Sequence, residues 1–302
     1  ITPRYGGSVI GGIHDHISGA YLLTHDNPFV PKAIALDVLG QIGWSGELPK
    51  EHKVDGNSGY YGRDLFSLIV PAGFSLRYTS RSQDEVSVEG GNIISGTLDK
   101  RAIGAEDGRL LDAVVQTHGT AIGATFLNHM TKLTIGICTA MGFTTGIDDE
   151  DLPPEAMDLI AQRNAEASDA VDAELEKFGV DGRKYETRPG RTPIETLEEN
   201  ILQILDQCKA ETGTVAKEHL ADNNPAVMMA VSGARGSMDN LAMMAGSIGQ
   251  PKVRGKRLER GYNDRVLAHF RRGVKGAKEK GFVASSFKRG LEPTEFFMLS
   301  VS

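Results

Sequence analysis

The sequence predicts an α+β protein in which a β-rich, mixed first part is followed by a helical hairpin. Three observations predict it. In "DEVSVEGGNIISG", Val86 and Val88 alternate ahead of a Gly90–Gly91 pair and then Ile93 and Ile94, the pattern of a hairpin with a two-residue turn. Two later stretches, Pro154 to Phe178 and Thr192 to Leu220, carry apolar residues at helical spacing and are joined by a Gly/Pro-marked loop. Between the parts, "TGIDDEDLPPEAM" marks a boundary, in a 302-residue chain long enough for about two domains.

Leu65 to Tyr78 is expected to form two short strands parted by Pro71 and Gly73. After the hairpin, a helix from about Thr120 to Met141 closes the first part, with Ile122, Phe126, Met130, Leu133 and Ile137 three and four residues apart. Asp148, Asp149, Glu150 and Asp151 stand just before Pro153-Pro154 and a helical pattern, where carboxylates serve as caps and favour the positive end of the helix dipole. The first long helix shows a stripe of Met157, Ile160, Val171, Leu175 and Phe178; the second shows Ile194, Leu197, Ile201, Ile204 and Cys208. Two such helices pack antiparallel along their stripes. Their connecting loop, "GVDGRKYETRPGR", puts Arg183, Lys184, Arg188 and Arg191 at the tip.

Composition narrows the function classes. Only two cysteines occur, Cys138 and Cys208, which excludes a disulfide framework and a four-cysteine zinc site and points to a reducing compartment, the cytoplasm by default. The longest apolar stretch, around Ala121 to Phe143, is broken by Asn128, His129 and Lys132, so no membrane span is expected. Net charge is −7, yet Pro251 to Arg289 holds thirteen Lys or Arg against Glu259, Asp264 and Glu279, a local +10 that leaves −17 elsewhere. That asymmetry suits a polyanion, an acidic partner surface or a solvated basic loop. Ile1 without a methionine and Ser302 inside the apolar pattern "EFFMLSVS" are expected to be cut ends.

Two stretches carry candidate chemistry. In "AVSGARGSMDNLAMMAGSIGQ", Ala230 to Gln250, the loop residues Ser232, Gly233 and Gly236 set Arg235 between them, and Ser237 is placed to cap a helix with Leu241, Met244 and Ile248 on its apolar side. Loop amides, a helix N-terminus and a guanidinium suit phosphate oxygens, although an internal arginine–carboxylate pair would use the same residues. In "GGIHDHISGAY", residues 11 to 21, His14 and His16 are expected on one face of a strand with Asp15 opposite. A catalytic zinc takes three protein ligands and an open position. His25 is the nearest third candidate, and the two histidines are expected to be structural.

The same residues carry a family resemblance. "SGARGSMDNLAMMAG", "VRGKRL", "GYNDRVLAHF", "GFVASSF" and "GLEPTEFF" resemble, in order and spacing, the largest subunit of multisubunit DNA-directed RNA polymerases, closest to the archaeal A-prime type. "PRYGGSVIGGIHDHISGAYLLT" and "GFTTGIDD" are similar to upstream segments of that subunit. The resemblance spans essentially the whole chain. It implies a pore domain over 1–145, a funnel domain over 146–289 with the helical hairpin as its coiled pair, and a truncated start of the bridge helix over 290–302. In the family, pore and funnel line the secondary channel, through which nucleoside triphosphates reach the active centre and transcript-cleavage factors insert.

The resemblance also implies roles. Arg235 would contact substrate phosphate, with Ser232, Gly233, Gly236 and Ser237 as supporting loop and helix cap. Partners would be the other polymerase subunits, nucleoside triphosphates, the DNA template, the nascent RNA and a transcript-cleavage factor at the funnel. Mg2+ in the assembled enzyme would be held by an Asn-Ala-Asp-Phe-Asp-Gly-Asp motif upstream of Ile1. No such string occurs here, so this chain supplies no catalytic residue and no metal ligand, and it should be inactive alone.

Several positions depart from the family pattern. Pro251 stands where a second Gln is expected, which removes a backbone donor and fixes φ. Asp239 occupies a usually apolar position, Ala268 replaces a Pro, and Glu292 replaces a capping Thr ahead of Pro293. Met298 to Ser302 differs from the bridge-helix pattern, which is therefore not carried over beyond Phe297. Two competing readings remain at this point: a non-catalytic interaction module that docks its basic C-terminal segment on an acidic partner, and a metal hydrolase built on His14 and His16.

Overall fold

The computed structural model describes residues 2–4, 6–106, 108–259 and 263–302. Ile1, Arg260 of the basic segment and the Gly261–Tyr262 opening of "GYNDRVLAHF" lie outside the described residues. In chain order the first elements are α1 (Asp15–Thr24), β1 (Phe29–Pro31), α2 (Lys32–Ile42), β2 (His52–Val54), β3 (Asn57–Tyr61), α3 (Gly62–Ser67), β4 (Leu76–Thr79), β5 (Glu85–Glu89), β6 (Asn92–Ser95), α4 (Lys100–Ile103) and α5 (Arg109–Met141). There follow α6 (Pro154–Phe178), α7 (Pro193–His219), α8 (Pro225–Ser232), α9 (Met238–Leu241), a π-helical turn at Ala242–Gly246, and α10 (Pro293–Ser300). The class is α+β.

The chain divides into two compact units, Ile1–Thr145 with Asp222–Ser237, and Gly146–Ala221 with Met238–Ser302. Residues 222–237 thus belong to the first unit, although the stretches on either side of them belong to the second. The cause is apolar: Val227 and Ala230 of α8 are buried, and Ala234, with Met229 beside it, joins the core of the first unit.

In the first unit, two three-stranded antiparallel sheets run in the orders β1-β3-β2 and β4-β5-β6. The expected hairpin is present, with Tyr78 opposite Val86 and Val88 opposite Ile93. Helices nevertheless outweigh strands here, and one expected strand is instead the end of α3 at Ser67 followed by a turn. Leu65, Phe66, Ile69 and Val70 are all buried, a spacing that a helical turn satisfies and an alternating strand does not. The long helix also begins earlier than expected, at Arg109, and breaks at Gly119, whose φ of 84° lies outside helical space. Beyond the break, Phe126, Met130, Leu133 and Ile137 are buried as the stripe requires, whereas Ile122 is exposed.

The second limb of α5 packs against α1 with almost no space between backbones. A Cβ at Gly19 would fall 2.3 Å from the carbonyl oxygen of Thr134, so only glycine fits there. Asp99 ties the opposite side of this unit together. Its buried carboxylate accepts from the backbone N–H groups of Arg81, of Ser82 at 3.3 Å and of Arg101 at 2.8 Å, capping α4 and holding the β4–β5 turn. Burial holds this carboxyl above the ordinary carboxylate range, against the opposing effect of those N–H groups.

With the folded value raised, the contribution of Asp99 is present in acid and is lost as pH rises through its folded titration. Asp99→Asn is expected to remove that component from the pH dependence of unfolding followed by Trp44 fluorescence. Asp99→Ala, which strips an acceptor from three N–H groups, is expected to cost about 1–3 kcal/mol by the same measurement.

In the second unit, α6 and α7 form the expected antiparallel pair. Thr192 and Glu195 make a reciprocal capping box at the start of α7, with Pro193 as its first residue. Val171, Phe178, Leu197, Ile201 and Cys208 fill the seam, and Ala277 and Phe282 close over it. The outer ends of the stripes, Met157 and Ile194, stay exposed. The acidic run forms a short 3-10 turn over Ile147–Glu150 in which Asp149 accepts from the Gly146 N–H at 2.7 Å, so it caps its own turn rather than α6.

Candidate phosphate-contacting site

The loop after α8 is built from local rules. Asn224 accepts from Ala226 N at 2.8 Å and Val227 N at 3.3 Å, and Pro225 starts the helix. Gly233 ends it in the left-handed conformation. Ser232 is buried; its Oγ donates to Met229 O and accepts from Ala234 N, both at 3.3 Å. Arg235 N donates to Met229 O at 3.2 Å. The backbone is therefore fixed up to Arg235, while Arg235 and Gly236 are exposed.

The Arg235 guanidinium meets no carboxylate among the described residues. Its Nη1 lies 3.2 Å from His14 Nε2, across 221 positions of sequence. The internal arginine–carboxylate pair that the same sequence allowed is not formed. Ser237 immediately precedes α9, which with its π-helical turn ends at Gly246. Ile248 therefore lies beyond the helix rather than on it: its N–H donates to Ser285 O at 3.0 Å, and Gly249 pairs with Val283 in an isolated antiparallel bridge.

The histidines do not share a strand face. His14 immediately precedes α1, and His16 sits in the first turn with Nδ1 2.8 Å from Ile13 O. His25 lies past the other end of α1, stacked on Tyr21 with ring centroids 4.6 Å apart. Among the described residues no group of three or more His, Cys, Asp or Glu lies together as a metal site.

Much of the basic segment is engaged within the second unit. Arg257 is fully buried and grips Glu198 through Nε at 2.8 Å and Nη2 at 3.0 Å, while also donating to the carbonyls of Lys275 and Gly276. Lys252 pairs with Asp206 at 2.6 Å, Lys278 with Glu292 at 2.9 Å and Lys288 with Asp151 at 2.9 Å. At the hairpin tip, Arg188 and Arg191 both meet Glu199, at 3.5 and 2.9 Å. This internal use of cations does not favour a module that docks through them. No helix among the described residues is long and apolar enough to cross a membrane.

The first unit is an α+β body that takes in a guanidinium-bearing loop from far along the chain, and the second carries a helical hairpin. The family RNA polymerase Rpb1, domain 3 matches residues 1–150, and RNA polymerase Rpb1, domain 4 matches residues 180–283. The chain belongs to the family of the largest subunit of DNA-directed RNA polymerase, in its archaeal form.

Among its relatives is DNA-directed RNA polymerase subunit Rpo1N of Methanococcus vannielii, 41% identical over 312 residues, covering 98% of this chain and 35% of that protein. The Rpo1N subunit of Thermococcus celer is 39% identical over 98% of this chain and 36% of its own length. That of Thermoplasma acidophilum is 38% identical over 100% of this chain and 35% of its own length. The chain spans about a third of the length of these curated relatives. His14 falls in the first family match and Arg235 in the second, so their contact joins both inside one compact unit.

Proposed function

We propose that this chain works as the pore-and-funnel segment of a largest RNA polymerase subunit, lining the route by which nucleoside triphosphates enter, and that Arg235 contacts their phosphates. The observation that carries this reading is an exposed guanidinium on an anchored loop with no carboxylate beside it among the described residues. Such a group offsets negative charge on phosphate oxygens while the nucleotide is positioned and while pyrophosphate leaves. Nucleotidyl transfer itself belongs to the assembled enzyme, with the other subunits, DNA template and nascent RNA. The α6–α7 hairpin is the part offered to a transcript-cleavage factor, and the setting is cytoplasmic. The family implies Mg2+; the described residues of this chain present no cluster to hold it, and none is assigned to it.

A nucleoside triphosphate bearing a photoreactive group on its γ-phosphate tests the reading in the assembled polymerase. Illumination is expected to label residues 232–237, and excess unmodified nucleotide to suppress the label. Label confined to other segments of the subunit would overturn the assignment.

A further inference from the structure

We propose that His14 is a positioning residue for Arg235: its neutral imidazole accepts a hydrogen bond from the guanidinium and holds that side chain ready for phosphate. This inference rests on the phosphate-contacting role given to Arg235 above.

The geometry assigns the proton. Arginine has only donors, so Nη1 at 3.2 Å from His14 Nε2 requires a lone pair on Nε2 and, with it, a neutral ring protonated on Nδ1. The choice of acceptor matters chemically. A carboxylate at this position would fix the guanidinium equally well but would cancel its charge and compete with the phosphate for its donors. A neutral imidazole orients the side chain and leaves the full positive charge, with the remaining N–H donors, for the ligand.

The backbone that carries the imidazole is held firmly. His14 has φ 47° and ψ −112°, a conformation that non-glycine residues rarely adopt and that persists only where neighbouring structure enforces it. Two residues earlier, Gly12 N donates to Ile103 O at 2.6 Å. On the other side, the His14 carbonyl accepts from Ile17 N at 2.9 Å and Ser18 N at 3.0 Å, which sets the residue at the start of α1. Arg235 is fixed by its own N–H to Met229 O and by the buried Ala234. Two rigid supports from distant parts of the sequence thus converge on one hydrogen bond between exposed side chains.

Steady-state nucleotide addition by the assembled polymerase, with His14→Ala, His14→Gln, Arg235→Ala and the His14→Ala/Arg235→Ala double variant, tests the proposal. His14→Ala is expected to raise KM for the nucleoside triphosphate about three- to tenfold with kcat nearly unchanged, because the cation remains but is no longer oriented. His14→Gln, which keeps an acceptor, is expected to restore the parental KM to within about twofold. Adding His14→Ala to Arg235→Ala is expected to change nothing further, since the two residues act through one contact.

A parental KM in His14→Ala, a Gln variant as weak as the Ala variant, or a His14→Ala effect that persists in full without Arg235 would each overturn the proposal. If Arg235→Ala is impaired while His14→Ala is silent, only this inference fails. If Arg235→Ala itself is parental, the phosphate-contacting role fails with it.

Discussion

An assembled polymerase carrying Arg235→Ala is expected to add nucleotides about ten- to a hundredfold more slowly than its parent. The size follows from the roughly 1.5–3 kcal/mol that a hydrogen bond to a charged group contributes, converted at about 1.4 kcal/mol per decade of rate. The side chain is exposed, its backbone is anchored through Met229 O, and no ion pair with a described residue is lost on truncation, so the fold should tolerate the change. Arg235→Lys keeps the charge but loses the planar fork, and an intermediate rate is expected. Single-nucleotide addition followed by rapid quench is the direct measurement. A parental rate and affinity in the alanine enzyme would remove Arg235 from the mechanism.

The second large effect concerns stability. Arg257→Ala is expected to destabilise the second unit by about 3–5 kcal/mol, because it strands Glu198 and the carbonyls of Lys275 and Gly276 around a vacated buried site. Replacing both partners, as Arg257→Met with Glu198→Leu, leaves no orphaned charge and is expected to cost far less. Denaturant titration separates the outcomes. Far-UV circular dichroism reports α6 and α7 together with α5 of the first unit, while the single tryptophan, Trp44, lies in the first unit and follows that unit alone. A large shift of the helical transition in the alanine variant supports the account. A shift seen only in Trp44 fluorescence would contradict it.

The hairpin was legible in the sequence because every signal there agrees. Pro154 and Pro193 open the two helices, Thr192 and Glu195 form a capping box, and the apolar stripes are narrow. In the first unit the second limb of α5 left such a trace in its apolar stripe, and the other helices did not. In α1, Ile17 to Tyr21 are buried one after another, so no face alternates, and α3 is six residues long, too short to establish a period. The first limb of α5 is masked by the break at Gly119.

For the site, the loop around Arg235 was readable from its glycines and serine, but its partner was not. A contact across 221 positions has no local signature, and from the sequence His14 reads, with His16, as a structural residue. Arg257 was hidden in another way: in a segment with thirteen basic residues, charge alone does not mark out a fully buried one.

The backbone contact between Gly19 and Thr134 reaches further than the local packing suggests. His14 stands five positions before Gly19, at the head of the helix that this contact presses onto α5. Any side chain introduced at position 19 works as a wedge, and the helix it tips carries the imidazole away from Arg235. A lesion that resembles a simple steric fault would then surface as a substrate-affinity defect, and selections for such defects should return position 19 alongside 235.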